Sequence, residues 1–145
     1  MDLRILVVED DEEDIGLLRH AFTRVGGGVP VRFVKDGDHA VAYLSGAPPF
    51  QDRQEFPLPT LILLDLKLPR RSGLEVLDWI RARPELRKTP VIVFTSSRED
   101  EDIDRAYERG ANSYLVKPPD FKGLIEMVEA LRVYWTLNTG RGRRG

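Results

Sequence analysis

Three short runs of branched apolar residues break the pattern of the chain: Ile5-Leu6-Val7-Val8, Leu61-Ile62-Leu63-Leu64 and Val91-Ile92-Val93-Phe94. None alternates with polar residues, which is the pattern of strands buried on both faces of a parallel sheet. Val31-Arg32-Phe33-Val34 and Ser113-Tyr114-Leu115-Val116 are weaker strand candidates. Between the runs the apolar spacing changes to three and four, as on one face of a helix. Ile15, Leu18, Phe22 and Val25 mark a helix over 12–25, stopped by Gly26-Gly27-Gly28. Leu74, Leu77 and Ile80 mark another over 72–83, with a Ser72/Glu75 capping box in front and Pro84 behind. Further helices are expected near 37–44, over 100–109 before Gly110, and over 120–135 with Leu124, Val128 and Leu131 on one face. Residues 45–59 hold four prolines and no period, and read as a surface loop.

Five strand-then-helix repeats predict an α/β fold with a doubly wound parallel sheet and right-handed crossovers. At 145 residues, 41% hydrophobic and 32% charged, the chain has the makings of one globular domain. No apolar run is long enough to span a bilayer, and the first residues lack a signal-peptide pattern, so a cytoplasmic protein is expected. The absence of cysteine excludes disulfides, thiolate metal sites and a cysteine nucleophile. The net charge of −2 hides an asymmetry, with seven acids and one base in residues 1–14. Three arginines near the end read as a basic flexible tail over 139–145, without the aromatic residues of a nucleic-acid surface.

Ligands of such sheets bind beyond the carboxyl ends of the strands. The residues found there are Glu9-Asp10-Asp11, Asp65, Thr95-Ser96 and Lys117-Pro118. Carboxylates gathered at one edge repel, by about 4 kcal/mol per pair at about 4 Å and an effective dielectric of about 20. A hard divalent cation such as Mg²⁺ offsets that repulsion, and Lys117 is the permanent cation at hand. As N-terminal residues of the first helix, Asp11, Glu12, Glu13 and Asp14 read as complements to its macrodipole. Asp10-Asp11 is itself an acidic pair, so the register of the metal-binding pair is open by one residue. His20 and His39 read as surface helix positions.

This constellation resembles the receiver domain of bacterial two-component response regulators, over most of the chain. Glu9-Asp10, Asp36-Gly37, Asp65 with Pro69 and Gly73, Thr95, and Gly110-Ala111 leading to Tyr114 and Lys117-Pro118 carry the resemblance together. The proline-bearing loop and Tyr134-Trp135 make it most similar to the stand-alone receivers associated with phytochrome kinases. The resemblance implies a flavodoxin-like sheet of strand order 2-1-3-4-5 and a receiver domain over residues 1–138. Asp65 is then the phosphoacceptor for a histidine kinase, such as a bacteriophytochrome. Mg²⁺ is held by Glu9, Asp10, Asp65 and the backbone carbonyl of Lys67. Thr95 and Lys117 bind the phosphoryl group, Tyr114 follows Thr95 as a switch, and the Lys117–Pro118 bond is cis. No other cofactor is implied, and the catalysis is confined to the protein's own phosphorylation and dephosphorylation.

Twenty-eight residues follow Lys117, too few for a DNA-binding domain, so output through protein contacts is expected. A homodimer through the fourth helix, fifth strand and fifth helix, using Tyr134 and Trp135, is one form of it. Lys67, two residues past Asp65, is expected to lengthen the life of the phosphate. Three other classes fit less well. An aspartate-nucleophile phosphatase needs an acid where Lys67 stands. A nucleotide- or flavin-binding module lacks its glycine-rich loop, and the acids after the first strand repel phosphate. A phosphorylation-independent scaffold has no need of Asp65, Thr95 and Lys117.

Overall fold

The computed structural model describes residues 2–137, so the expected tail at 139–145 lies outside the described residues. The elements alternate without exception: β1 (Ile5–Val8), α1 (Glu12–Val25), β2 (Val31–Val34), α2 (Gly37–Ser45), β3 (Leu61–Leu64), α3 (Gly73–Ala82), β4 (Val91–Thr95), α4 (Asp100–Glu108), β5 (Ser113–Val116) and α5 (Phe121–Leu137). The strands form one parallel sheet in the order β2-β1-β3-β4-β5. β1 and β3 pair in register from Ile5 with Leu61 to Val8 with Leu64, which brings their carboxyl ends level.

Alternate residues of each strand point to opposite faces, so one apolar run supplies two cores. Leu6, Val8, Ile62, Leu64, Val91 and Val93 pack with Tyr43, Leu44, Val76, Leu77 and Ile80 beneath α2 and α3. Ile5, Val7, Leu61, Leu63, Ile92 and Phe94 pack with Leu18, Ala21, Leu124, Val128 and Leu131 beneath α1 and α5. This two-sided burial explains why the central strands lack alternation. Truncating one of these buried leucines to alanine costs about 2–5 kcal/mol.

The helix ends follow their caps. Asp11 accepts from the Asp14 N–H at the start of α1, and Ser72 and Glu75 exchange both bonds of the capping box at α3. Two sequence expectations need correction. Trp135 belongs to the α1/α5 core at 7% exposure and is not available as a dimer contact, whereas Tyr134 is 65% exposed. One more step of four from Leu131 lands on Trp135, so the core stripe of α5 runs a turn further than its first three residues mark. The loop over 45–59 is also more than surface. Phe50 and Phe56 stack around Tyr43, whose hydroxyl donates to the Pro57 carbonyl, and Arg53 donates to the carbonyls of Tyr43, Leu44 and Phe56.

Candidate functional site

The sheet's hydrogen bonding continues one residue past the strands and sets the site's backbone. The Glu9 N–H donates to the Val34 carbonyl at 3.0 Å, Asp65 N–H to Val8 at 3.1 Å, and Lys117 N–H to Thr95 at 2.8 Å. Glu9, Asp65 and Thr95 are buried in consequence. Two glycines hold the β3–α3 loop against this edge. A Cβ on Gly73 would meet the Asp65 carbonyl oxygen at 2.1 Å, and one on Gly37 the Arg71 carbonyl oxygen at 2.1 Å. Neither contact leaves room for any other residue.

Lys117 is the centre of the charge. Its Nζ donates to Asp14 Oδ2 at 2.7 Å and to Asp65 Oδ2 at 3.1 Å. Glu9 Oε1 lies 2.7 Å away as an ion pair, and this buried oxygen accepts no hydrogen bond. Burial pushes the Glu9 carboxyl up from 4.5 to about 7; pairing with Lys117 and the Asp11 N–H opposes the rise, and the Asp65 charge adds to it. Burial alone would lower Lys117, but its close pairing with Asp14 and Glu9 and the Asp65 charge hold the ammonium above its ordinary value. The edge is an anionic nest with one shared cation.

Glu9, Asp10 and Asp65 each offer an oxygen, and the three lie within 4.8 Å of one another. Oxygen donors of this number and spacing suit a hard divalent cation that keeps several waters. The buried Glu9 Oε1, which faces the ammonium but accepts no hydrogen bond, is the second sign of fit, since an unbonded buried acceptor is costly. Glu9 rather than Asp11 joins Asp10 and Asp65 in this group. Asp11 turns away to cap α1.

Asp14 was read from sequence as a surface complement to the helix dipole; its bond to Lys117 brings it into the site instead. It stands three residues after the N-cap Asp11, in the first turn of α1, where an acid has an ordinary explanation. Lys67 donates its backbone N–H to Asp65 Oδ1 at 3.3 Å, with its side chain exposed. The expected cis bond at Lys117–Pro118 is not found: among the described residues the cis bond is Pro48–Pro49. A trans Lys117 already has its N–H on Thr95 and its ammonium on Asp65, so no cis turn is needed to aim the amine inward.

On the β4–α4 side, Tyr114 donates its hydroxyl to the Ser97 carbonyl at 3.0 Å, and Ser97 Oγ donates to Asp102 Oδ2 at 2.6 Å. Burial pushes the Tyr114 hydroxyl up. Thus Tyr114 is fastened to the loop that follows Thr95, and that loop to α4. On the other side, Asp36 caps α2 through the His39 N–H at 2.7 Å, and its Oδ2 lies 2.6 Å from His39 Nδ1. Burial opposes ionisation of Asp36, and the His39 contacts with the charge of Arg70 outweigh it and hold the carboxyl low. His39 is therefore more than a surface position, since it braces the start of α2 next to Gly37.

A family model of the response regulator receiver domain matches residues 5–129. The chain is 40% identical over 131 residues to the probable methanogenesis regulatory protein FilR2 of Methanothrix harundinacea, covering 90% of this chain and 82% of that one. It is 35% identical over 131 residues to the response regulator Rcp1 of Synechocystis, covering 90% and 87%. The crystal structure of the Mn²⁺-bound form of Rcp1 aligns with a TM-score of 0.81 at 33% identity, over 95% of this chain and 97% of that one. The phosphorylated cyanobacterial phytochrome response regulator RcpA gives a TM-score of 0.86 at 32% identity, over 97% and 98%.

Proposed function

The chain belongs to the receiver-domain family of response regulators, with phytochrome response regulators among its similar structures, and from that premise we propose that Asp65 accepts a phosphoryl group from a histidine kinase. A phytochrome-type kinase is the donor class that the likeness to RcpA favours. An Asp65 oxygen forms a bond to phosphorus as the phosphorus–nitrogen bond of phosphohistidine breaks, and the electron pair leaves with the imidazole nitrogen. Glu9, Asp10 and Asp65, with the Lys67 carbonyl, are the residues to hold Mg²⁺. Bound there, the ion supplies charge neutralisation for the transferred oxygens. Lys117 donates N–H bonds to the same oxygens and keeps its proton throughout, as its raised pKa requires.

One observation carries the reading: a buried carboxylate at a strand end, Asp65, meets a partly buried ammonium and is one of three oxygens grouped for a cation. Thr95, buried at the end of β4, is the hydroxyl that follows the new oxygens in this reading. Its movement loosens the Ser97 carbonyl that Tyr114 holds, which gives the signal a route to α4 and β5. Output then runs through protein contacts, and the exposed Tyr107 of α4 and Tyr134 of α5 are the aromatics available to a homodimer. Among the described residues no helix is long and apolar enough to cross a membrane.

Mass spectrometry after incubation with acetyl phosphate tests the reading. A Mg²⁺-dependent phosphate adduct on Asp65, absent from Asp65→Asn, is the expected result. No adduct with acetyl phosphate or phosphoramidate overturns it. Sedimentation with and without beryllofluoride tests the homodimer, and equal profiles count against it.

A further inference from the structure

The receiver reading gives Glu9, Asp10 and Asp65 their work and leaves Asp14 without any. Yet Asp14 makes the shorter of the two hydrogen bonds that the Lys117 ammonium donates. On that geometry, and resting on the proposed phosphoacceptor function, we infer that Asp14 is a positioning residue. It is the fixed anchor of Lys117, which keeps this one carboxylate while exchanging Glu9 and Asp65 for phosphoryl oxygens.

The inference follows from counting donors. A lysine ammonium has three N–H groups and no acceptor. Three carboxylates surround this one, at 2.7, 2.7 and 3.1 Å for Glu9, Asp14 and Asp65. Glu9 and Asp65 are also cation-group residues, and Asp14 is not. Once Glu9 and Asp65 give their oxygens to a cation, the ammonium loses its hydrogen bond to Asp65 and its ion pair with Glu9, and Asp14 keeps one N–H. The other two N–H groups are then free for phosphoryl oxygens on the side where those carboxylates lay. Without Asp14, the same step releases Lys117 altogether, and its four-carbon stem carries the ammonium to water.

The setting of Asp14 suits an anchor. Its side chain is 34% exposed against 2% for Glu9 and 8% for Asp65, so it holds the ammonium from the solvent side. Its backbone is fixed by the bond from its N–H to Asp11 Oδ1 at 2.9 Å, inside the first turn of α1. The neighbouring acids are otherwise engaged or aimed elsewhere: Asp11 caps the helix, Glu12 pairs with Lys35, and Glu13 is exposed.

The phosphoryl step is unchanged in its balance. With acetyl phosphate, Asp65 oxygen bonds phosphorus, the phosphorus–oxygen bond to the acetyl group breaks, and acetate leaves with the electron pair. Lys117 supplies hydrogen bonds and transfers no proton.

The test compares the full-length protein with Asp14→Ala, Asp14→Asn and the equal-charge control Glu13→Gln, each first checked for an unchanged melting transition. Initial rates of Asp65 phosphorylation by acetyl phosphate are read at saturating Mg²⁺, with Mg²⁺ affinity from calorimetry. Asp14→Ala is expected to react about tenfold more slowly with Mg²⁺ affinity within about twofold, Asp14→Asn to fall between, and Glu13→Gln to match the parent. A second readout is independent of rate: in the wild-type protein with Mg²⁺ and beryllofluoride, the hydrogen-bond scalar coupling between Lys117 ¹⁵Nζ and Asp14 ¹³Cγ persists. A parent-like rate for Asp14→Ala overturns the anchor. So does a faster rate, which means that Asp14 competes with the phosphoryl group for Lys117. A tenfold loss of Mg²⁺ affinity makes Asp14 a cation ligand, and a coupling lost on loading makes it a resting-state partner only; either result sinks the inference. Failure of the wild-type protein to form any adduct at Asp65 removes the function itself, a result distinct from all of these.

Discussion

Arg81 and Lys117 are both partly buried cations, yet they keep opposite company. Arg81, near the amino ends of β4 and β5, donates five hydrogen bonds: two to the Gly110 carbonyl, one each to the carbonyls of Arg87 and Thr89, and one to Asn112 Oδ1. Every acceptor is neutral and belongs to a loop. Burial draws the Arg81 pKa down, and no carboxylate offsets it. Lys117, at the carboxyl edge, is surrounded by carboxylates and held above its ordinary pKa. A guanidinium fork on fixed carbonyls is a clamp, saturated and permanent. An ammonium among carboxylates that a metal ion can also claim is an arrangement built to change partners. The same element of chemistry, a buried positive charge, serves as structure at one end of the sheet and as machinery at the other.

The difference can be broken at either cation. Arg81→Leu leaves the carbonyls of Gly110, Arg87 and Thr89 without their donor and is expected to cost about 3 kcal/mol, on the order of a hundredfold in the folding constant. Urea denaturation measures it, while phosphorylation per folded molecule stays at the parent level. A stable Arg81→Leu protein with impaired phosphorylation would reverse the roles assigned here. At the other end, a proton and a cation compete for Glu9. Because Glu9 titrates at about 7 when folded and at 4.5 by its ordinary value, the metal-free folded state binds the extra proton in that window. Its contribution to stability is therefore full below 4.5 and declines as pH rises to about 7. Mg²⁺ affinity moves the other way and is expected to fall about tenfold from about pH 8 to about pH 6, with proton uptake on release, by calorimetry. A flat profile would mean that Glu9 does not ligate the ion. The smallest effect sharpens the clamp. Asn112→Ala removes the oxygen shared by Arg81 and the Val91 N–H, for about 1 kcal/mol, or about fivefold, in the same denaturation assay. Phosphorylation rates unmoved by that change complete the separation.

The two ends also differ in how far the sequence discloses them. The carboxyl edge is legible because a parallel sheet puts chemistry at its strand ends, and Glu9, Asp65, Thr95 and Lys117 each follow an apolar run directly. The alternating elements are legible for the same reason, since runs of four branched residues have few other uses, whereas the strand order is what the family resemblance implies. Asp14 is hidden because its role depends on how the fold sets the first turn of α1 against Lys117, 103 residues away, and an acid in a first helical turn has an ordinary explanation. Trp135 is ambiguous in the sequence because a terminal aromatic suits either packing or a partner, and its spacing from Leu131 favours the core stripe in which it lies. The clamp was invisible: Arg81 acts on backbone carbonyls, and no side-chain pattern marks those. The packing of Phe50 and Phe56 on Tyr43 was equally hidden, since an aromatic cluster within an irregular loop has no period.

The distance along the chain between Lys117 and its partners has a consequence for synthesis. Its bonds reach back 103 residues to Asp14 and 52 to Asp65. A ribosome releases all the acids of the site well before β5, so the nascent sheet carries its carboxylates without the ammonium that reconciles them. Closing the sheet with the fifth strand is thus also an act of charge neutralisation. A chain stalled before Lys117 would be the species most in need of a divalent ion to hold its edge together.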